Sequence, residues 1–435
     1  MKKILLLGGS AQQVIAIETA KRLGYFTILC DYLTDNPGQY SADRFYLVST
    51  TDKESVLEVA LKEQVDGILA YASDPAAPTA AYVAEKMGLP GNPYSSVEIL
   101  CNKDQFRAFL KEHHFHTPEA QGYSSTKEAL ADIRSGRFRM PLIVKPVDSS
   151  GSKGVSRIDR PDEAAEKLNY AMDFSRQKRI IVEEYVDCFG YQLAGDGLSV
   201  DGKLVFRCFA NDHFDPRCVN PFVPVSASFP YNMPEDIQNR IHDEIQRLLS
   251  LLNMKTCTYN FDMRIDRDFH VYLMEIAPRS GGNYIPQIIR YATGVDLIEC
   301  AVKAAMGEPL DLSGFSPEKM KAGTNAPSSV PAADAVSQPE PSPKHTDIMP
   351  DASGYYAYYA VHSYTDGILK RIEISEEASK HILENHLIAR PGDEIRAFSG
   401  ANTTLGILLM KFDSMEEMLE MMDHSDKWIR VHLES

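Results

Sequence analysis

Three stretches of this chain carry polar residues whose position within apolar runs points to chemistry. In the first, the run Leu142-Ile143-Val144 delivers Lys145, and after Pro146 comes Asp148-Ser149-Ser150-Gly151-Ser152-Lys153-Gly154-Val155. A loop of small residues exposes backbone N–H groups, and two lysines add positive charge, a combination suited to a polyphosphate. The same composition also fits a surface hairpin with solvated lysines. It is not a GxxxxGK[ST] loop opening a helix. In the second stretch, Ile180-Ile181-Val182 runs into Glu183-Glu184-Tyr185-Val186. This is either an edge strand with exposed carboxylates or a strip whose backbone groups hold an adenine edge between apolar walls.

The third stretch pairs two acids. Asp262, in Tyr259-Asn260-Phe261-Asp262-Met263-Arg264-Ile265, and Glu275, in Val271-Tyr272-Leu273-Met274-Glu275-Ile276-Ala277-Pro278-Arg279, lie about equally far from a turn at Arg267-Asp268. Antiparallel pairing would set the two carboxylates side by side, and hard oxygen ligands so placed suit Mg²⁺. Glu275 interrupts an apolar strand, where an unpaired charge is costly, so it needs a cation or an ion-pair partner, for which Arg279 is the nearby alternative.

These groups need elements to hold them. Ile4 to Leu7 is a continuous apolar run turned by Gly8-Gly9-Ser10 into a helix carrying Val14, Ile17 and Leu23. Tyr25 to Cys30 and Gly67 to Tyr71 read as further strands, and Thr51-x-x-Glu54 reads as a capping box opening a helix. Such alternation implies a parallel sheet with helices on both faces. The glycine turn with Asp31 about 20 residues on invites a dinucleotide-binding reading. The positions of the second and third glycines are Ser10 and Gln13, so a tight strand-to-helix turn, with small-molecule binding at the helix N-terminus as alternative, is the better reading. From about Asn102 to Ala322 alternating strands mix with helices, the pattern of an α+β body. Residues 323–352 are rich in Pro and Ser, as in a linker or long loop. Beyond them, Tyr355 to Ser363 and Leu405 to Phe412 read as strands, and Ser414-x-x-Glu417 starts a helix whose Met415, Met418, Met421 and Met422 read as core packing.

Composition narrows the function classes. With 45 Lys plus Arg against 61 Asp plus Glu among 435 residues, the formal charge is −16, which repels nucleic acid and anionic membranes. No run approaches the roughly 18 apolar residues of a membrane span. The seven cysteines are scattered without a CxxC pair, and a reducing, cytoplasmic setting is expected.

Taken together and in this order, the three stretches resemble the ATP-grasp superfamily over about residues 1–322. The nearest branch holds the carbamoyl phosphate synthetase large subunit, biotin carboxylase, purine-pathway carboxylate ligases and L-amino-acid ligases. The resemblance implies an α/β parallel-sheet pre-ATP-grasp domain at 1–101 and an α+β ATP-grasp domain at 102–322, with a mobile lid at about 115–185. A small α+β C-terminal domain at 353–435 would follow the linker. It implies ATP and Mg²⁺, with Mn²⁺ as a substitute ion, small-molecule carboxylate and amine substrates, an acyl phosphate intermediate, and a homodimer as the family-level expectation. Bicarbonate activation and a catalytically weakened nucleotide-binding protein are the alternatives.

Residue by residue, the resemblance makes Lys103 and Lys145 the phosphate lysines and Ser149, Ser150, Gly151, Ser152, Lys153, Gly154 and Val155 the closing loop. Glu183, Glu184, Tyr185 and Val186 would hold adenine. Gln192, in Gly190-Tyr191-Gln192, stands where many members carry a glutamate on the ribose. Asp262 and Glu275 would bind Mg²⁺, while Ala277 stands where many members supply a further Asn ligand. Arg279, with Lys153, would steady the transferred phosphoryl group. The strip Ser280-Gly281-Gly282-Asn283 would face the acceptor carboxylate, with His213, Arg217 and Arg264 as candidate anion contacts.

Overall fold

A computed structural model describes residues 1–312 and 353–434. The first four strands are β1 (Lys3–Leu7), β2 (Phe26–Asp31), β3 (Arg44–Leu47) and β4 (Gly67–Leu69). They form a parallel sheet in the order β3-β2-β1-β4. Ile4 to Leu7 are at most 2% exposed, which is why this strand reads as a continuous apolar run rather than an alternating one. Strand β3 is invisible in the periodicity because it is a half-exposed edge of only four residues. The following helix spans Lys53–Glu63, and its cap is Asp52, whose carboxylate accepts from the Ser55 amide at 3.2 Å; the expected Thr51 box is one residue out of register.

A second sheet contains β5 (Ala120–Tyr123), β6 (Leu142–Pro146), β7 (Ser156–Ile158) and β8 (Ile180–Glu184), antiparallel in the order β5-β8-β6-β7. Leu142, Val144, Ile180 and Val182 point from it into one small core shared with Leu168 and Ala171 of the helix Ala164–Phe174. Each such apolar side chain contributes roughly 1.5–3 kcal/mol on burial. Residues of the opposite register, including Ile143 and Lys145, are left to face a cleft.

The chain then builds β9 (Gln192–Val200), β10 (Lys203–Phe214), β11 (Pro224–Phe229), β12 (Cys257–Ile265) and β13 (Val271–Ala277). After the undescribed residues come β14 (Tyr355–Val361), β15 (Gly367–Ile374), β16 (Ile382–Leu387), β17 (Glu394–Ile395), β18 (Gly406–Phe412) and β19 (Ile429–Leu433). The large sheet runs β13-β12-β9-β10-β11-β14-β18-β16, so three C-terminal strands extend the central sheet. A separate small sheet, β17-β15-β19, completes the C-terminal part. The free edge of β11 is thereby covered by β14 through four residue pairs, removing an exposed row of backbone donors and acceptors. Ser414 caps the helix Met415–Asp423, and Met418 and Met422 are fully packed in the core, with Met415 and Met421 against it. The linker expected at 323–352 lies outside the described residues.

Candidate active site

A cleft of about 310 Å³ lies between the two antiparallel sheets, and its walls contain Lys103, Lys145, Ser149 to Lys153, Val155, Glu183 to Val186, Gln192, Asp262, Arg264 and Glu275. Residues expected on separate sequence grounds are therefore brought to one place. Lys145 stands diagonal to Glu183 across the β6–β8 ladder, where Ile143 opposes Glu183 and Lys145 opposes Ile181. The ammonium of Lys145 pairs directly with the Glu183 carboxylate, which also accepts from Arg107 Nε at 3.0 Å. Burial alone would push the Glu183 carboxyl up, but the charges of Arg107 and Lys145 hold it down at about 2. Burial also lowers the pKa of Lys145, and Glu183 opposes that effect. Two cations and one anion leave this buried group with one net positive charge facing the cleft.

Glu183 therefore acts as a counter-ion here, with its side chain 1% exposed and fully engaged. Neighbouring groups are similarly committed, since the Glu184 amide donates to Glu119 O at 2.9 Å and the Tyr185 amide to Pro141 O at 3.0 Å. Arg107 carries no local sequence signal of this role. It lies one turn after Lys103 on the helix Lys103–Glu112, beside the core residues Phe106 and Leu110, and its partner Glu183 is 76 residues away.

Lys103 opens that helix and bridges two parts of the site. Its Nζ donates to Ser149 O at 2.8 Å and pairs with Glu275 at 3.1 Å. Burial would lower its pKa, but Glu275 and Asp74 raise it above the ordinary lysine value. In the phosphate-loop candidate, Ser149 to Lys153 and Val155 line the cleft, whereas Gly154, at φ +75°, packs so closely that a Cβ would come within 2.8 Å of both Pro146 and Phe174.

Asp262 and Glu275 are paired in register on β12 and β13, with a bulge immediately after Asp262. Burial first, then the neighbouring Glu275 charge, push the Asp262 carboxyl up to about 6. Its Oδ1 is buried without a hydrogen-bond partner. Such an orphaned oxygen beside a second carboxylate fits a hard divalent cation. The ion-pair alternative for Glu275 is resolved differently from the expectation: Lys103, not Arg279, is its partner. Arg279 instead grips Asp74 of the N-terminal domain through two bonds of 2.7 and 2.6 Å. A second cleft, of about 320 Å³, contains Asp74, Glu98, Asn102, Arg176 and Ala277, and shares Lys103, Ser149 and Glu275 with the first.

The candidate acceptor residues are not brought together. Arg264 donates to Gln192 Oε1 at 2.8 Å and Val186 O at 2.7 Å, so it organises the first cleft rather than contacting an acceptor. His213 uses both ring nitrogens internally, on Asp423 at 2.6 Å and Ser228 at 2.8 Å, and is buried. Arg217 is held by Asp215. In the strip, Ser280 is buried on Thr258, the Gly281 amide donates to Asp196 at 2.8 Å, and the Asn283 amide donates to Gln12 at 3.0 Å. Those two amides are committed within the chain and do not face an open acceptor site. Gly282 packs against Gln12, which a Cβ there would approach to 2.9 Å.

Residues 138–287 match the family model of the ATP-grasp domain. The carbamoyl phosphate synthase large chain of Thermoanaerobacter sp. (strain X514) is 27% identical over 277 residues, 63% of this chain and 25% of that protein. The formate-dependent phosphoribosylglycinamide formyltransferase of Prochlorococcus marinus (strain NATL1A) is 31% identical over 189 residues, 43% of this chain and 48% of that protein. This chain thus spans between about a quarter and a half of the length of these curated relatives. Among solved structures, the L-amino acid ligase from Bacillus licheniformis superposes with a TM-score of 0.75 at 20% identity, over 100% of this chain and 99% of that one. The N5-carboxyaminoimidazole ribonucleotide synthetase from Thermotoga maritima gives 0.69 at 17% identity, with 100% of each chain covered. The structural likenesses establish the shared fold.

Proposed function

We propose that this chain, which carries an ATP-grasp domain, is an ATP-dependent carboxylate–amine ligase that works through an acyl phosphate. One observation carries the reading: a single cleft combines Lys145 and Glu183, the latter backed by buried Arg107, a small-residue loop with Lys153, and the Asp262–Glu275 pair with its orphaned oxygen. That is the equipment for holding and transferring a phosphoryl group.

In this reading adenine lies against Tyr185 and Val186, and Gln192, oriented by Arg264, meets the ribose. Lys145 and Lys103 take the phosphates. Asp262 and Glu275 would hold Mg²⁺, which would supply further neutralisation of phosphate charge. A substrate carboxylate oxygen attacks the γ-phosphorus, and the β–γ bridging bond breaks with its electron pair leaving on ADP. The loop at Ser149 to Val155, with Lys153, excludes the water that would hydrolyse the acyl phosphate. An amine nitrogen then attacks the acyl carbon, inorganic phosphate leaves, and the amine proton passes to solvent. Arg279, fixed by Asp74 at the second cleft, is assigned to steady the phosphoryl group. The second cleft, which adjoins the first at Lys103 and Glu275, receives the carboxylate and amine. An amino acid or peptide-like compound is the substrate class.

The test is ADP release over a panel of amino acids, amines and bicarbonate in the presence of Mg²⁺. ADP formation that requires a carboxylate and an amine together supports the ligase. Stimulation by bicarbonate alone replaces it with bicarbonate activation, and ATP binding without stimulation by any member of the panel contradicts catalysis.

A further inference from the structure

Away from the cleft, Asp215, Cys218 and His362 meet in the interior. All three are buried, and one ligand-type atom from each lies within 4.8 Å of the others. Asp215 and Cys218 belong to the turn after β10, and His362 directly follows β14, so the pairing of β14 with β11 brings them together. We propose that this cluster binds a thiophilic divalent cation of the Zn²⁺ class through Cys218 Sγ, His362 Nε2 and a carboxylate oxygen of Asp215, with water as the fourth ligand.

The orientation of His362 is the first support. Its Nδ1 lies 2.7 Å from Ala360 O, and because a carbonyl only accepts, Nδ1 carries the proton. Nε2 is left with its lone pair, 4.0 Å from Asp215 Oδ2. A backbone carbonyl that fixes ring direction and tautomer in this way is the usual outer support of a metal-bound imidazole.

Asp215 supplies the second support. Its Oδ1 accepts from Arg217 N at 2.9 Å and Nε at 2.8 Å, and its Oδ2 accepts from Arg217 Nη2 and Tyr364 OH, each at 2.7 Å. These bonds aim the carboxylate and occupy both oxygens, so coordination through Oδ2 displaces the Tyr364 hydroxyl from it. Arg217 comes from the solvent side, with its side chain 46% exposed, whereas Cys218 and His362 are interior. Cys218 takes part in none of these hydrogen bonds. Metal binding displaces the proton of this thiol, Cys–SH giving a metal-bound thiolate and one H⁺ to solvent. A sulfur, nitrogen and oxygen set selects Zn²⁺ over Mg²⁺, which prefers oxygen alone.

The position of the site gives it a consequence. Asn220, two residues beyond Cys218, donates to Ser152 O at 2.9 Å, and Ser152 Oγ donates to Phe222 O at 2.7 Å. An ion that fixes the 215–218 turn thereby fixes one wall of the phosphate-loop candidate.

The experiment uses the full chain, stripped with chelator and titrated with Co²⁺ and Zn²⁺ in excess Mg²⁺. The expected result is one tightly bound equivalent, a thiolate-to-cobalt charge-transfer band, and release of about one proton per ion. Cys218→Ser should remove the band and weaken Zn²⁺ binding about 100-fold or more, and His362→Gln should weaken it comparably. Asp268→Asn, at the exposed member of the Asp266–Asp268–His270 cluster, should leave the band intact. A wild-type chain without a thiolate band overturns the proposal, whatever the variants do. So does a band that survives in a folded Cys218→Ser chain.

Discussion

Two glycine turns in this molecule look alike in sequence and differ in what occupies them. Gly8-Gly9-Ser10 follows β1, and Ser149 to Val155 follow β6; each comes after a buried apolar strand. In the first turn the chain fills its own donors. The Gly9 amide donates to Asp31 at 2.7 Å, the Ser10 amide to Gln13 at 3.0 Å and the Gly8 amide to Cys30 O at 2.9 Å. A Cβ on Gly9 would meet Asn36 at 2.1 Å, so the space is also taken. Among the described residues, no side-chain carboxylate or carboxamide takes an amide of the second loop, and two lysines and a cleft stand beside it. Glycine content alone therefore says little about anion binding; what matters is whether the chain has already supplied the anion.

The largest effect is expected at the Asp262–Glu275 pair. Glu275→Gln is expected to reduce Mg²⁺-dependent ADP formation about 1000-fold or more with the fold intact, measured as turnover alongside circular dichroism; full turnover would remove the metal assignment. Next, Lys145→Ala should cost about 100-fold in ATP-dependent turnover or affinity. Unchanged values would mean that the second loop is no more a phosphate site than the first.

The buried counter-ion makes stability depend on pH. Because the folded pKa of Glu183 is depressed from 4.5 to about 2, its stabilisation is present above about pH 4.5 and is lost as pH falls toward 2. The span corresponds to on the order of 3 kcal/mol. Stability-against-pH curves for Glu183→Gln should be flatter than wild type over that interval, and parallel curves would count against the charged triad. The smallest effect is expected in the first turn. Asp31→Asn should lower stability by about 1 kcal/mol in a denaturant titration and leave ATP affinity unchanged, and a weakened affinity would reverse the roles of the two turns.

The parts of this account legible in sequence are those set by short-range pattern. The run Ile4 to Leu7 announced a doubly covered strand, and equal distances from the Arg267-Asp268 turn placed Asp262 opposite Glu275. Pairings between distant segments were not legible. Arg279 finds Asp74 across 205 residues and His213 finds Asp423 across 210, and neither partner leaves a trace in local periodicity. Likewise, nothing local in Tyr355 to Val361 shows that it will cover the edge of β11 rather than start its own sheet. Arg107 was hidden for the same reason, since a guanidinium on an amphipathic helix ordinarily faces water.

The most direct measurement is a crystal structure of the full chain with a non-hydrolysable ATP analogue and Mg²⁺. The triphosphate is expected along Ser149 to Val155 between Lys103 and Lys145, with an ion held by Asp262 and Glu275. Nucleotide density at the Gly8-Gly9-Ser10 turn, with the cleft beside Lys145 empty, would contradict it.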